Sequence, residues 1–599
     1  MTHSTHRPGI RALHLLIPLA LLAGCSVSDA DERSHAGQTQ EAEGDVAKWS
    51  SSGINDVKGV PMATLQGAIK QRLAGKRPSV VGEEAWQHTK RLYTRFQGSP
   101  LWFDKGGLDK ERVEALTNAL LQATDDGLAL DEYPIGDVAK SIGSVRETKQ
   151  PTAEQLADAD VLLTSAYAAL GEDLLIGQVN PKTVGQSWHI DVRDENVDSA
   201  LARTLTQMPL DKAMIAMRPA DSGYVALQKE MARFRDVVAK GGWQTIPAGK
   251  ALKRGQSDSP VRLAALRARL KAEGIEVPDA AAVPAAQDST SSEDSAGKAT
   301  LRRATNVGVF DQGLASAVAE FQARHAINVD SMLGKETLDA LNVPAPYRLA
   351  QIAANLERHR WMPRSLGSRY IIVNVPQFHL TAFDSGHTSL EMKVIVGKDY
   401  EDKATPVFSD SMEFVVFRPF WNVTPDIAAK EIFPLEQAKP GYLAANNMEV
   451  YDDHGRRAVR QRPGPKNSLG LVKFMFPNDY NIYLHDTPNG ELFKKDVRAF
   501  SHGCIRLEKP AELAQWVLGW PADRVEQAMQ GEQDNRQVKL PAKIPVYIVY
   551  FTTYVDNGQL YFGNDLYDRD SKLIAEVQSA AALSPDAIQA RDSLRLLAK

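Results

Sequence analysis

The sequence is poor in cysteine, and it lacks an excess of positive charge. Its 599 residues include two cysteines, Cys25 and Cys504, so a disulfide-rich fold is excluded. Lysine and arginine number 70 against 75 acidic residues, a net charge of −5, which does not indicate a nucleic-acid-binding surface. After the N-terminus no apolar run approaches about 20 residues, the length that a membrane-spanning helix needs. The chain is too long for one hydrophobic core, and two to four domains are expected.

Residues 1–24 have the pattern of a secretory signal. Arg7 and Arg11 precede a short apolar run that contains His14 and Pro18 and ends in small residues. The alternative, a transmembrane anchor, is disfavoured because the run is short and interrupted.

The segment Leu22-Ala23-Gly24-Cys25 resembles the lipobox of bacterial lipoproteins. That resemblance implies cleavage before Cys25 and attachment of a lipid to it. Ser26-Val27, with no aspartate after the cysteine, is similar to lipoproteins that are sent to the outer membrane. We therefore expect a periplasmic protein with membrane association through Cys25, and residues 25–54 predict a polar, flexible tether.

Two helical regions follow the tether. Residues 55–250 predict a helical scaffold domain, since Val113, Leu116 and Leu120 recur on one helical face between Glu111 and Ala123. No catalytic cluster is found there. Residues 251–345 resemble the helical peptidoglycan-binding module of wall hydrolases, in the strings Val309 to Asp311, Ala317 to Gln322 and Gly334 to Thr337. The alternative is a plain three-helix packing domain. Its stretch 276–300 has too little apolar bulk for a core and predicts a disordered insertion.

The hydrophobic period changes near residue 368. A linking helix is predicted over 346–367, and the β-branched and aromatic runs of 368–560 predict a mainly-β domain. Within it, 426–467 forms an inserted segment that we interpret as a lid or capping loop, with a solvated basic surface as the alternative. Residues 561–599 predict a C-terminal tail. The fold class is therefore α+β and multidomain, helical first and mainly β afterwards.

The chemistry of the chain is concentrated in two short segments of the β domain. His485 ends a predicted strand, and Ser501-His502-Gly503-Cys504 follows fifteen residues later. A thiol with an ordinary pKa is mostly protonated at neutral pH, and a nearby imidazole can take its proton to give a thiolate–imidazolium pair. An inert core cysteine is the alternative, which the neighbouring histidines disfavour. Gly503 allows a tight turn whose amide groups could face a developing oxyanion.

These segments resemble the signature of the L,D-transpeptidases with a YkuD-type catalytic domain, which all seven positions His485, Ser501, His502, Gly503, Cys504, Ile505 and Arg506 match. The domain order is similar to that of the large multi-domain Gram-negative branch, from which the lipobox departs. The resemblance implies Cys504 as the nucleophile, His485 as the general base and His502 at the site, with the Gly503 and Cys504 amides as the oxyanion hole. It also implies substrate-binding residues, for which the candidates are Arg506, Ser501, Tyr483 and Trp421. A structural salt bridge for Arg506 and core positions for the two aromatic residues are the alternatives.

The reaction implied by the resemblance is a 3→3 cross-link. Cys504 would take the acyl group of a tetrapeptide donor stem, and the diamino-acid amine of a second stem would accept it, with no metal or cofactor. Other wall-synthesis enzymes are conceivable partners. Three alternatives stay open: an L,D-carboxypeptidase or hydrolase that uses the same thiol, a catalytically inactive wall-binding lipoprotein, and a metal site of His485, His502 and Cys504. The last lacks a fourth ligand at a familiar spacing.

Overall fold

A computed structural model describes most of the chain after the predicted tether, namely residues 53–184, 188–190, 196–207, 209–278, 308–399, 403–577 and 585–597. The predicted signal and lipidation site at Cys25 lie outside the described residues, as do 279–300 of the predicted disordered insertion. Within the described ranges, every helix is too short or too polar to cross a bilayer. The α+β organisation predicted from the sequence is confirmed.

The N-terminal half is a bundle of helices around one long central helix. The central helix, Ala153–Ile176, begins with a capping box between Thr152 and Gln155 and is buried along most of its length. The predicted helix around residue 111 is present as Lys110–Gln122, capped by Asp109. The other helices are Met62–Ala74, Glu83–Arg95, Ile135–Glu147, Val197–Thr206, Leu210–Ile215 and Ser222–Ala239, with short strands at Asp56–Val57, Val60–Pro61, Phe103–Asp104 and Gly107–Leu108 and 3₁₀ turns at Ala123–Asp126 and Leu130–Glu132.

A small helical module comes next. Its helices are Pro260–Ala272, Gln312–Arg324 and Lys335–Leu341. They enclose a separate core to which Leu263, Leu266, Phe310 and Phe321 contribute. These apolar side chains share one core, and each helix therefore contributes one apolar face.

The predicted linking helix is present as Ala345–Arg360, and it is buried on nearly all sides. The side chains of Glu357 and Arg360 are fully buried and paired at 2.6 Å. Glu357 also accepts the Val179 N–H, and Arg360 donates to the Asp126 carbonyl. This ion pair therefore joins the helix to the scaffold domain.

The catalytic-domain candidate is a sheet that closes on itself. The strand Val472–Met475 pairs with Leu484–His485 on one side and with Val407–Phe417 on the other, which completes a ring of eight strands. The remaining members of the ring are Arg369–Asn374, His379–Asp384, His387–Gly397, Ile505–Leu507 and Arg536–Val549, while Ala499–Ser501 pairs beside it. The helices Pro510–Leu518 and Ala522–Gln530 pack against the same core.

The scaffold domain contributes a strand to this sheet, which the sequence did not predict. Trp188–His189 pairs in parallel with Val407 and Phe408. The Trp188 ring also meets the Trp361 ring edge-on, with centroids 5.1 Å apart. The scaffold and β domains therefore share one continuous core.

The inserted segment and residues 421–425 before it form a small subdomain. It contains the short helices Pro425–Ile427, Phe433–Ala438 and Tyr442–Ala445, the π-helical turn Ala428–Ile432, and a three-stranded sheet of Trp421–Asn422, Met448–Asp453 and Arg456–Gln461. Val423, Ala428, Ile432 and Val459 form its core.

The C-terminal residues do not form the predicted tail. The strands Thr553–Asp556 and Gln559–Phe562 make a hairpin, and the helices Asp570–Val577 and Pro585–Leu597 follow. Phe562, Leu573 and Val577 belong to the main core, because the hairpin and the helix Asp570–Val577 pack against the linking helix.

Candidate active site

Two neighbouring strands bring the predicted catalytic residues to one face of the sheet. Cys504 stands directly before Ile505–Leu507, which runs parallel to Leu484–His485 with His485 opposite Arg506. The Ile505 N–H donates to the Tyr483 carbonyl at 3.1 Å, which extends the pairing back to the cysteine. Because alternate residues of a strand share a face, the side chains that project together are Tyr483, His485, Cys504 and Arg506.

The thiol has a backbone partner in this conformation. Cys504 Sγ donates to the Asn481 carbonyl at 3.6 Å rather than to His485. Asn481 has φ +55°, and the side chain of Asn478 holds the preceding turn by bonding the backbone of Ile482. The left-handed backbone conformation of Asn481 orients its carbonyl oxygen toward the Cys504 sulfur.

The orientation of His485 is set by its own backbone neighbourhood. Its ring is nearly fully buried, and Nδ1 lies 2.6 Å from the Asp486 carbonyl oxygen. A carbonyl can only accept, so Nδ1 carries the proton and Nε2 keeps its lone pair in the neutral ring. His485 and Cys504 are diagonal neighbours across two paired strands, a separation that side chains of this length can bridge. The base role itself stays a prediction.

Burial keeps both groups neutral. It raises the pKa of the Cys504 thiol to about 11, against smaller opposing effects of Tyr483, Arg506 and Lys473. Burial likewise lowers the pKa of His485 to about 3, and the charges of Arg506 and Lys473 add to that shift. The free site therefore favours a thiol and an imidazole over the thiolate–imidazolium pair expected from the sequence.

Ser501 braces the turn instead of facing a substrate. Its hydroxyl is buried, accepts the Gly503 N–H at 3.1 Å and donates to the Cys504 carbonyl. Thr405 Oγ1 donates to the Gly503 carbonyl at 2.8 Å from the other side. Gly503 itself has φ +114°, which a residue with a Cβ rarely adopts.

These bonds alter two expectations. The Gly503 amide is already satisfied by Ser501, so in this conformation it is not available to an oxyanion. Ser501 is a structural residue of the turn, because its hydroxyl is bonded on both sides.

His502 contacts a residue of the inserted segment. Its Nε2 lies 2.7 Å from Glu431 Oε1, and Lys403 Nζ lies 3.3 Å from the same oxygen. Partial burial opposes the charge on Glu431, but the bonds from His502 and Lys403 hold the pKa of this carboxyl below its usual range. Sequence reasoning missed Glu431, because nothing in its local spacing distinguishes it from other acidic residues of the segment.

Lys473 was also missed. It pairs with His485 in the antiparallel ladder, so it stands on the opposite side of that histidine from Arg506. Its Nζ lies 5.6 Å from the centre of the Tyr483 ring. Lys473 alternates with apolar residues along its strand, and that pattern could have predicted its position on the outer face of the sheet. The pattern alone could not have placed it beside His485.

The two aromatic candidates are placed differently. Tyr483 lines the site, with its ring centre 5.7 Å from that of His485. Trp421 packs instead against the core of the inserted segment. Trp421 as a wall of the thiol site stays a prediction, because its subdomain also reaches the turn beside Cys504 through Glu431.

One group of described residues has ligand atoms close enough for a metal ion, and it lies in the scaffold domain. Ligand atoms of Glu84, His88 and Glu172 lie within 4.8 Å of one another. His88 is already engaged by Asp198 at 2.6 Å, and exposed acidic groups such as Glu84 are common without an ion. This cluster is not part of the thiol site.

Comparison with protein families finds three modules. Residues 368–548 match the L,D-transpeptidase catalytic domain (YkuD), residues 87–231 match a scaffold domain, and residues 296–341 match the "Putative peptidoglycan binding domain". These regions follow the predicted domain order.

A curated protein of Haemophilus influenzae, named "Putative L,D-transpeptidase", is 31% identical over 248 residues, 38% of this chain. The chain spans about half the length of this relative (50%). Among solved structures, an L,D-transpeptidase (residues 123–326) of Xylanimonas cellulosilytica matches at 14% identity and a TM-score of 0.16, over 51% of this chain and 99% of that one. The Ldtfm–avibactam carbamoyl enzyme matches at 13% identity and a TM-score of 0.14, over 31% and 51%.

The family models and the curated relative agree with the signature around the single described cysteine. Residues 368–548 are therefore a catalytic domain of the L,D-transpeptidase (YkuD) family, and a match to the putative peptidoglycan binding domain precedes them, as in the multi-domain L,D-transpeptidase that the sequence resembles.

Proposed function

We propose that the chain is a peptidoglycan L,D-transpeptidase that forms 3→3 cross-links through a thioester on Cys504. The observation that supports this most is the placement of Cys504 and His485 on one face of two paired strands, inside the region that matches the catalytic domain. The peptidoglycan-binding match supports the same polymer as substrate.

In the first half-reaction, Cys504 Sγ attacks the carbonyl carbon of the third residue of a tetrapeptide stem. The thiol proton passes to His485 Nε2 as the C–S bond forms. Collapse of the tetrahedral intermediate breaks the C–N bond, and His485 returns the proton to the nitrogen of the departing D-alanine. The low pKa of His485 suits the second transfer, because a weakly basic imidazole gives up its proton readily.

In the second half-reaction, the side-chain amine of a neighbouring stem attacks the thioester carbonyl. The amine loses a proton to His485, the C–S bond breaks, and the thiol is restored. An amide between two third-position residues is the product. The developing oxyanion would accept from the Cys504 N–H, for which the described residues offer no other acceptor.

The location is part of the proposal. A lipid on Cys25 and a polar tether would hold the enzyme at a membrane of the periplasm, within reach of the wall. Incorporation of labelled palmitate into the wild type, and its loss in Cys25→Ala, is the expected result. Equal labelling of both proteins would contradict lipidation at this residue.

The test of the reaction uses the full chain and a disaccharide-tetrapeptide. Mass spectrometry of the intact protein should show an acyl adduct, and chromatography should show 3→3 dimers with release of D-alanine. Cys504→Ala should give neither product, whereas Cys25→Ala, the matched control at the other cysteine, should retain both. Dimers formed by Cys504→Ala would contradict the proposal.

The same experiment separates the hydrolytic alternative. With water as the acceptor, the product would be a tripeptide stem without dimers. Binding to isolated wall sacculi without any adduct would instead support the inactive wall-binding lipoprotein.

A further inference from the structure

The row of side chains across the site contains two cations that flank His485. Lys473 lies opposite His485 on one side and Arg506 on the other, all three on the same face as Cys504. Both cationic side chains are half-buried. The site is therefore positively charged on either side of the proposed base.

Neither cation has an acidic partner in the described part of the chain. Lys473 contacts the face of the Tyr483 ring, and the buried Nε of Arg506 has no hydrogen-bond acceptor. Burial lowers the pKa of each side chain, which reflects the loss of hydration of its charge.

Several other buried arginines have an acidic or backbone partner, even where one nitrogen of the guanidinium lacks an acceptor. Arg262 pairs with Asp258 and Arg358 with Asp570. The buried Arg498 donates to backbone carbonyls, including those of Val394 and Phe378. Lys473 and Arg506 differ from these three arginines, because the contacts of the described residues give their side chains neither a carboxylate nor a carbonyl acceptor.

The thiol does not supply the missing anion in the free enzyme. Burial keeps Cys504 protonated at neutral pH, so its charge is available to Lys473 and Arg506 only during the reaction. An anion that arrives with the substrate would instead satisfy both cations while the thiol is still neutral.

We propose that Lys473 and Arg506 form a subsite for a carboxylate of the donor stem that lies within one residue of the scissile carbonyl. This inference rests on the proposed function. Lys473 and Arg506 lie close to Cys504 along the face of the sheet, so the bound carboxylate must lie close to the scissile carbonyl. Two carboxylates of the donor stem meet this condition. One belongs to the departing terminal D-amino acid, and the other is the free carboxylate of the third-position diamino acid. Arginine would bind it with paired N–H donors and lysine as a point charge.

The subsite has a consequence for the order of events. Docking of a carboxylate neutralises the two charges that disfavour protonation of His485. The histidine then becomes a better acceptor for the thiol proton only after the donor stem is bound. Lys473 and Arg506 are positioning and specificity residues in this scheme.

The experiment measures acyl-enzyme formation by intact mass with the full chain and three tetrapeptide donors. One donor carries both carboxylates, one has an amide at the terminal D-alanine, and one has an amide at the diamino-acid carboxylate. We expect the wild type to discriminate against one of the two amides by about 10- to 100-fold in kcat/KM, the range for a lost charged hydrogen bond. Which amide is rejected identifies the source of the carboxylate.

The variants compare the charge at position 473. Lys473→Met should reduce this discrimination to about threefold or less, mainly through a raised KM for the carboxylate donor, whereas Lys473→Arg should keep most of it. Lys543→Met is the matched control, because Lys543 lies in the same sheet and pairs with Glu413 at an exposed position.

Two results would overturn the subsite. Either the wild type acylates with all three donors equally well, or Lys473→Met slows all donors by one common factor. The donor comparison in the wild type does not depend on how the variant folds. A wild type that forms no acyl-enzyme with any donor would instead rule out the proposed function, and the subsite with it.

Discussion

The Nε2 atom of His502 lies 2.7 Å from Oε1 of Glu431, and these two residues come from different parts of the catalytic domain. His502 belongs to the turn that carries Cys504, whereas Glu431 belongs to the π-helical turn of the inserted segment. Lys403 reaches the same carboxylate at 3.3 Å. The contact therefore ties the inserted segment to the turn beside Cys504.

Glu431→Gln should loosen this tie. The amide keeps the shape of the side chain but loses the charge that attracts Lys403 and the acceptor strength of the carboxylate toward His502, so we expect faster hydrogen exchange in 426–467 and a several-fold slower acylation of Cys504. Asp426→Asn is the matched control, since Asp426 lies in the same segment and pairs only with the exposed Lys430 among the contacts described. Equal exchange rates in the two variants would contradict the tie.

The same contact should weaken in acid. The folded pKa of Glu431 lies below its ordinary range, so the contact contributes stability above the unfolded pKa of about 4.3 and loses it as the pH falls toward the folded value. The protection of 426–467, measured relative to the intrinsic exchange rate at each pH, should therefore fall below about pH 4 in the wild type. In Glu431→Gln the exchange should be fast already at neutral pH and show no such step.

The Cys504 thiol should react slowly in the free enzyme. Because burial raises its pKa to about 11, iodoacetamide labelling should accelerate by nearly tenfold per pH unit through the alkaline range and level off only near that value. The measurement uses Cys25→Ala, so that Cys504 is the only thiol. A rate that is already at its plateau near neutral pH would show a thiolate–imidazolium pair instead.

The sequence predicted the proximity of Cys504 and His485 better than the residues that surround them. Two paired strands and a tight turn fix the spacing between Cys504 and His485. That spacing is visible in the sequence as a local motif, so both residues could be identified from it. Lys473 and Glu431 reach the site through a third strand and a separate subdomain, and such long-range pairings leave no local spacing to read. The strand Trp188–His189 was also missed, because a strand of two residues is too short to show a hydrophobic period in the sequence.

Ser501 offers a test of the brace within the turn. Ser501→Ala removes the hydroxyl that accepts the Gly503 N–H and donates to the Cys504 carbonyl. Both backbone groups then lose a hydrogen-bond partner in a buried turn. We expect a loss of about 1–3 kcal/mol of unfolding free energy, together with slower acylation. Ser501→Thr, which restores the hydroxyl, should recover most of both. Normal acylation in Ser501→Ala would show that the brace is dispensable for the geometry of Cys504.

The ion pair of Glu357 and Arg360 should dominate the stability of the linking helix. Both side chains are fully buried, and Glu357 raises the pKa of Arg360 against the effect of burial. Glu357→Gln would leave the guanidinium charge without a counterion and should destabilise the protein by about 3–5 kcal/mol. The double variant with Arg360→Met should recover part of that loss, because no unpaired charge then remains. Thermal unfolding of the three proteins measures the difference, and a double variant less stable than Glu357→Gln alone would show that contacts of Arg360 with Asp126 and Tyr224, rather than its charge, hold the helix to the scaffold.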